Sequence, residues 1–194
     1  MKYKINKNED ALIIVDVQVD FCPGGALPVP EGDKIIPVLN EYIKRFDEVG
    51  ALIIATRDWH PPNHSSFKTY GGLWPPHCIQ GTDGAKFHPD LRLPKRTKII
   101  SKATDPSKEA YSGFEGTGLS EELKKIGIKR VFVGGLATEY CVKNTVLDAL
   151  KYGFEVFLLE DAIKGIDVNP GDVNRAIEEM LQKGAKKITL SDVE

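Results

Sequence analysis

The sequence predicts an α/β fold, a doubly wound, mainly parallel sheet of about six strands with helices on both faces. Short β-branched runs alternate with stretches of helical spacing, and that alternation implies parallel strands joined by covering helices. Three of the runs, 11–15, 51–55 and 131–133, are apolar at every residue instead of every second one, as strands buried on both faces are. The chain has 194 residues, 41% of them hydrophobic and 28% charged. A chain of this length buries roughly 70% of its unfolded surface, so one core suffices without disulfide or metal staples.

Ala11-Leu12-Ile13-Ile14-Val15 reads as the first strand. The helix after it places Ile35, Leu39, Tyr42, Ile43, Phe46 and Val49 on one face and stops at Gly50. Ala51 to Ala55 and Thr97 to Ile100 supply two more strands, and Ser120 to Ile126 a short helix. Val131-Phe132-Val133 is the fourth strand, followed by a helix from about Glu139 to Tyr152 that ends at Gly153. Phe154 to Leu159 is the fifth strand. The last helix is expected to open at Asn169-Pro170, a cap followed by proline at the first helical position, and to carry Val173, Ile177, Met180 and Leu181 before Gly184. Ile188-Thr189-Leu190 is expected to form an edge strand. No repeat, low-complexity tract or boundary interrupts this order, so residues 1–194 are expected to form a single domain. The exception is 58–96, a long stretch rich in Pro, Gly, His and Trp; loops of that length inside a domain are usually functional.

Composition excludes several classes. Lys+Arg number 26 against 28 Asp+Glu, a net charge of −2, with no basic arm or stripe for nucleic acid or an anionic membrane. The first ten residues are charged and no apolar run approaches 18, which fits neither a signal peptide nor a membrane anchor. Cys22, Cys78 and Cys141 are odd in number and form no CxxC, which points to a reducing cytoplasm. The dinucleotide, P-loop and serine-elbow fingerprints are all missing.

In open α/β sheets, ligands bind at the carboxyl ends of the strands. Asp16 follows the first strand, Asp58 and His60 the second, Lys102 the third, and Cys141 lies just past the fourth. An acid, a metal-type pair, a cation and a thiol thus meet on one rim. Thr138 is placed to cap the helix of Cys141, and a first-turn position favours a thiolate. Gly134-Gly135 lets backbone approach a ligand and shape an oxyanion site. Helical spacing aligns Cys141 with Asn144, Thr145 and Asp148 instead of the apolar stripe of Val142, Val146, Ala149 and Leu150. Asp16 is a candidate base for the thiol, and Lys102 its partner charge. Asp58 and His60, two residues apart in an extended segment, face one way, and His77 from the same loop completes a set that suits Zn²⁺, Fe²⁺ or Mn²⁺. His64 is either a further ligand or a residue that orders the loop. Cys78 is expected to point away from His77, and His88 reads as structural.

The motifs Asp16-Val17-Gln18-Val19-Asp20-Phe21, Asp58-Trp59-His60-Pro61, Trp74-Pro75-Pro76-His77-Cys78, Lys102, Tyr111-Ser112-Gly113-Phe114 and Gly135-Leu136-Ala137-Thr138-Glu139-Tyr140-Cys141 resemble the nicotinamidase/pyrazinamidase branch of the isochorismatase-like cysteine hydrolases. They cover nearly the whole chain in order. The resemblance implies a Rossmann-like, isochorismatase-like hydrolase fold and a catalytic triad of Asp16, Lys102 and Cys141. It implies one divalent metal on Asp58, His60 and His77, Zn²⁺ first and Fe²⁺ or Mn²⁺ as alternatives. It also implies a cis peptide between Leu136 and Ala137, an oxyanion hole from the N–H groups of Ala137 and Cys141, and a ring site formed by Phe21, Trp74, Tyr111 and Ala137. The implied reaction is deamidation of nicotinamide, and of pyrazinamide, through a thioester. The alternative is a related hydrolase acting on an N-carbamoyl or ureido amide; a catalytically silent ligand-binding homologue is a third reading. Expected partners are the small-molecule substrate alone, with neither nucleic acid nor membrane, in a monomer or homo-oligomer.

Overall fold

Asp10–Val15 (β1) lies in the middle of a six-stranded sheet in the computed structural model, which describes residues 2–194. Its neighbours are Leu52–Asp58 (β2) on one side and Arg130–Leu136 (β4) on the other. Lys98–Lys102 (β3) pairs outside β2; Glu155–Lys164 (β5) and Lys186–Ile188 (β6) extend the far side. The order is β3-β2-β1-β4-β5-β6 and every pair is parallel. The doubly wound fold expected from the alternation is therefore the one observed.

The period-two geometry of β1 divides the core. Leu12 and Ile14 join Leu39, Tyr42 and Phe46 of Ile36–Glu48 (α1) on one face. Ala11, Ile13 and Val15 face the other layer. That layer comprises Leu119–Lys125 (α2), Lys143–Lys151 (α3) and Asp172–Gln182 (α4), through Leu123, Val146 and Met180.

Two boundaries differ from the expectations. Helix α4 begins at Asp172 after Gly171 in the left-handed region, so Asn169-Pro170 precedes the helix instead of opening it. The Asp172 carboxylate accepts the Asn169 N–H at 3.0 Å and so stabilises the turn ahead of the helix. The edge strand is Lys186–Ile188, because Thr189 and Asp192 form a reciprocal cap that turns Leu190 out of the sheet.

At the amino end of β1 the buried Asp10 carboxylate receives Arg130 Nε and Nη2, both at 2.6 Å, and the Asn6 N–H at 2.7 Å. Asp10→Ala would leave the guanidinium only the Lys4 carbonyl, 3.1 Å from Nη2, and the Asn6 N–H without its acceptor, and is expected to cost about 2–3 kcal/mol. A melting temperature lowered by roughly 5–10 °C would show it; an unchanged melt would contradict it.

Candidate active site

β1 and β4 are adjacent, yet the chain leaves them towards opposite edges of the sheet, which opens a crevice at their carboxyl ends. Their backbones are close enough that a Cβ on Gly135, at φ +126°, would meet the Val15 carbonyl oxygen at 2.1 Å. Only glycine fits there. Asp16, directly beyond Val15, holds a left-handed φ of +50°, a costly conformation for a non-glycine residue. Thr56 on β2 fixes it, donating its hydroxyl to Asp16 Oδ1 at 2.7 Å while its carbonyl accepts the Asp16 N–H at 3.2 Å.

Lys102 closes β3 and is only 2% exposed. The β2–β3 register sets it opposite Asp58. Its Nζ lies 2.8 Å from Asp16 Oδ2, an ion pair outside hydrogen-bond alignment, and donates to Asp58 Oδ1 at 2.5 Å and to Cys141 Sγ at 3.3 Å. The partner expected for Lys102 was Asp16; the structure adds Asp58, so one ammonium joins the triad to the metal-type group. Burial opposes the lysine's charge, but Asp16 and Asp58 outweigh it and hold Lys102 well above its usual range. Burial pushes Asp16 above the ordinary carboxylate range despite the lysine.

Cys141 sits in a wide turn, Thr138–Val142, with π-type bonding that runs into α3. Thr138 does not cap this turn: its hydroxyl is buried without a partner. Cys141 is 5% exposed, and one oxygen each of Asp16 and Asp58 lies with its sulfur inside a 4.8 Å cluster. Burial and the Asp16 carboxylate push the thiol well above its ordinary pKa. Burial and the neighbouring carboxylate thus oppose the thiolate that a first-turn position is expected to favour, and Asp16 stands beside the sulfur as a proton acceptor. The Leu136–Ala137 peptide is cis, and Ala137 and Cys141 line the same cleft.

Asp58, His60 and His77 bring one ligand atom each to within 4.8 Å of one another. His60 Nδ1 faces the Ala103 carbonyl at 3.0 Å and His77 Nδ1 the Pro75 carbonyl at 2.7 Å. A ring nitrogen against a carbonyl must donate, so each Nε2 presents a lone pair inward. The two Nε2 atoms stand 3.2 Å apart, 3.4 and 3.8 Å from Asp58 Oδ2. Three donors converging in this way can hold one divalent cation. The spacing matches the roughly 3.3 Å between two nitrogens on a tetrahedral Zn²⁺. Burial lowers the His77 pKa, which keeps that imidazole a neutral ligand, while the Lys102 ammonium overrides burial and holds Asp58 well below the carboxylate range. His64 stacks on His60 at 4.1 Å, but its Nδ1 meets Ser66 Oγ at 2.7 Å and its Nε2 the Lys108 carbonyl at 2.9 Å. Both nitrogens are engaged, so here His64 orders the loop. Cys78, at φ +47°, lies outside the donor group, and His88 accepts the Asp90 N–H as a structural residue.

Phe21, Trp74 and Tyr111 line the cleft above Cys141. Trp74 Nε1 donates to Tyr111 Oη at 3.2 Å, and the Phe21 ring lies 5.5 Å from that of His77. The structure adds Tyr140, edge-on to Trp74 at 5.1 Å, with Glu109, Leu27 and Ile166. Gln18 was also missed as a positioning residue. Its amide accepts the Asp58 N–H at 2.9 Å and donates to the Asp58 carbonyl at 2.8 Å, locking the metal-type strand end. A larger, shallow groove among Lys4, Asn8, Lys129 and Arg130 lies at the opposite, amino end of the strands and holds no nucleophile.

Residues 10–192 match the isochorismatase domain family. Nicotinamidase of Escherichia coli is 40% identical over 205 residues, covering 95% of this chain and 96% of that protein. A pyrazinamidase of Pyrococcus horikoshii, solved in complex with zinc, is 63% identical with a TM-score of 0.90, covering 94% of this chain and 99% of that one. PnC1 of L. infantum, solved in complex with nicotinate, is 36% identical with a TM-score of 0.93, covering 100% and 99%. A buried Asp–Lys–Cys cluster at the sheet's switch point, beside an Asp–His–His group, accompanies likeness along the full chain. The chain belongs to the isochorismatase family, in its nicotinamidase/pyrazinamidase branch.

Proposed function

We propose that this single-domain protein, residues 1–194, deamidates nicotinamide to nicotinate and ammonia, and pyrazinamide likewise, in the cytoplasm. The observation that carries the reading is one Lys102 ammonium held between Asp16, Asp58 and Cys141 beneath an aromatic cleft. The substrate ring enters between Phe21, Trp74 and Tyr111, against Ala137, and brings its carboxamide carbon to Cys141 Sγ. As sulfur adds to that carbon, Asp16 takes the thiol proton, and Lys102 and Thr56 hold the carboxylate in place. The N–H groups of Ala137 and Cys141 donate to the oxyanion, each contributing about 3 kcal/mol. Asp16 returns the proton to the leaving nitrogen, the C–N bond breaks and ammonia departs, leaving a thioester on Cys141. Asp16 then takes a proton from the attacking water; the C–S bond breaks, nicotinate leaves and Cys141 recovers its proton. Asp58, His60 and His77 would hold a divalent ion, Zn²⁺ before Fe²⁺ or Mn²⁺, which would supply a Lewis-acidic point for orienting the substrate.

Ammonia release from nicotinamide and from an N-carbamoyl amine, in one assay, tests the reading. Preference for nicotinamide is expected; preference for the carbamoyl amine would overturn it. Chelation is expected to remove activity and zinc to restore it. Zinc at about 1,000 times its Kd should also stabilise the fold by about 4 kcal/mol. The melting temperature of His77→Ala should not respond to zinc, and an equal response would contradict the assignment of that ligand.

A further inference from the structure

We propose that Glu139 is a positioning residue for the substrate pocket, pinning the loop after β5, and with it Ile166, to the turn that carries Cys141. Glu139 lies two residues before the nucleophile and is 7% exposed. One carboxylate oxygen accepts the Ile166 N–H at 3.1 Å and the other the Asp167 N–H at 2.8 Å. No cationic side chain pairs with it among the described residues, so two consecutive backbone amides satisfy a nearly buried anion. The loop is built to reach it. A Cβ on Gly165 would come within 2.9 Å of both Glu139 oxygens and 2.3 Å of Val173 Cγ2. Asp167 adopts a left-handed φ of +58°, and its own carboxylate accepts the Val173 N–H at 3.0 Å at the start of α4. Ile166 sits between these anchors and lines the cleft together with Cys141 and Trp74.

A carboxylate is required because both acceptors must be oxygens: the amide nitrogen of glutamine would face an N–H donor. Losing one anchor frees Ile166 to leave the ring site without disturbing the reacting atoms. The signature is therefore weakened binding with chemistry largely kept. This inference rests on the nicotinamide reading for its kinetic part alone.

The test compares wild type, Glu139→Gln, Ile166→Ala and the double variant, each metal-loaded. KM and kcat for nicotinamide are measured beside hydrogen exchange of the Ile166 and Asp167 amides. Glu139→Gln is expected to raise KM about tenfold with kcat within about threefold, and to speed exchange at both amides. Ile166→Ala should raise KM similarly, and the double variant no further, because both act through one contact. Glu139→Asp, charged but one methylene shorter, should fall between. An unchanged KM in folded Glu139→Gln, or effects that multiply in the double variant, would overturn the proposal. If Glu139→Gln does not fold, an unchanged KM in Ile166→Ala overturns it alone. A wild type inert towards nicotinamide overturns the functional reading instead; the exchange rates then decide the pin, with equal rates in wild type and Glu139→Gln against it.

Discussion

Cys141→Ala is expected to lower ammonia release from nicotinamide by at least about 10⁴-fold, with metal content and circular dichroism unchanged. Removing the nucleophile of a unit that acts together costs nearly as much as removing the whole unit. The neighbours favour a soluble variant. Lys102 keeps both carboxylates when sulfur is lost, and the turn is held by Ala137, whose carbonyl accepts the Tyr140 and Val142 N–H groups at 3.1 and 3.2 Å. Cys141→Ser should be nearly as inert, since a hydroxyl surrenders its proton far less readily than a thiol. Activity within tenfold of wild type in either variant would place the nucleophile elsewhere.

Asp16→Asn is the second large effect, an expected loss of at least about 10³-fold in kcat/KM. Its pH behaviour distinguishes a base from a structural carboxylate. Burial raises the folded-state pKa of Asp16, so the proton is held more tightly in the native than in the unfolded chain. Ionised Asp16 therefore opposes folding at every pH above its folded-state pKa, and that opposition vanishes below its unfolded value. Two outcomes follow. The acid limb of kcat/KM lies above the ordinary carboxylate pKa of about 3.9 and disappears with Asp16. Thermal stability of Asp16→Asn at neutral pH equals or exceeds that of wild type, because Lys102 stays paired with Asp58. A variant that loses activity only by unfolding would contradict the role.

The sequence carried the strands and the rim because both depend on local patterns. Five β-branched runs marked the strands, and residues placed just beyond them had to share one end of a parallel sheet. The metal-type group was legible for the same reason, as Asp58 and His60 occupy one extended segment. What stayed hidden depends on contacts between distant segments. Thr56 reads as an ordinary strand residue, and only the β1–β2 register puts its hydroxyl on Asp16. Gln18 was visible beside Asp16, but its hold on both backbone groups of Asp58 spans 40 residues. Glu139 likewise shows its role only when β5 returns beside β4. The capping role given to Thr138 failed because the turn is wider than an α-helical one, and the thiolate expectation left out the burial and the neighbouring carboxylate that oppose the charge.

Partitioning of the acyl group tests the central claim most directly. Metal-loaded enzyme is given nicotinamide in the presence of hydroxylamine, beside Cys141→Ala, and nicotinate and hydroxamate are measured against ammonia. A thioester on Cys141 requires hydroxamate to appear at the expense of nicotinate in wild type, with neither product formed by Cys141→Ala. Ammonia and nicotinate released in full with no hydroxamate, or equal hydroxamate from the variant, would mean that water attacks the amide without a cysteine intermediate.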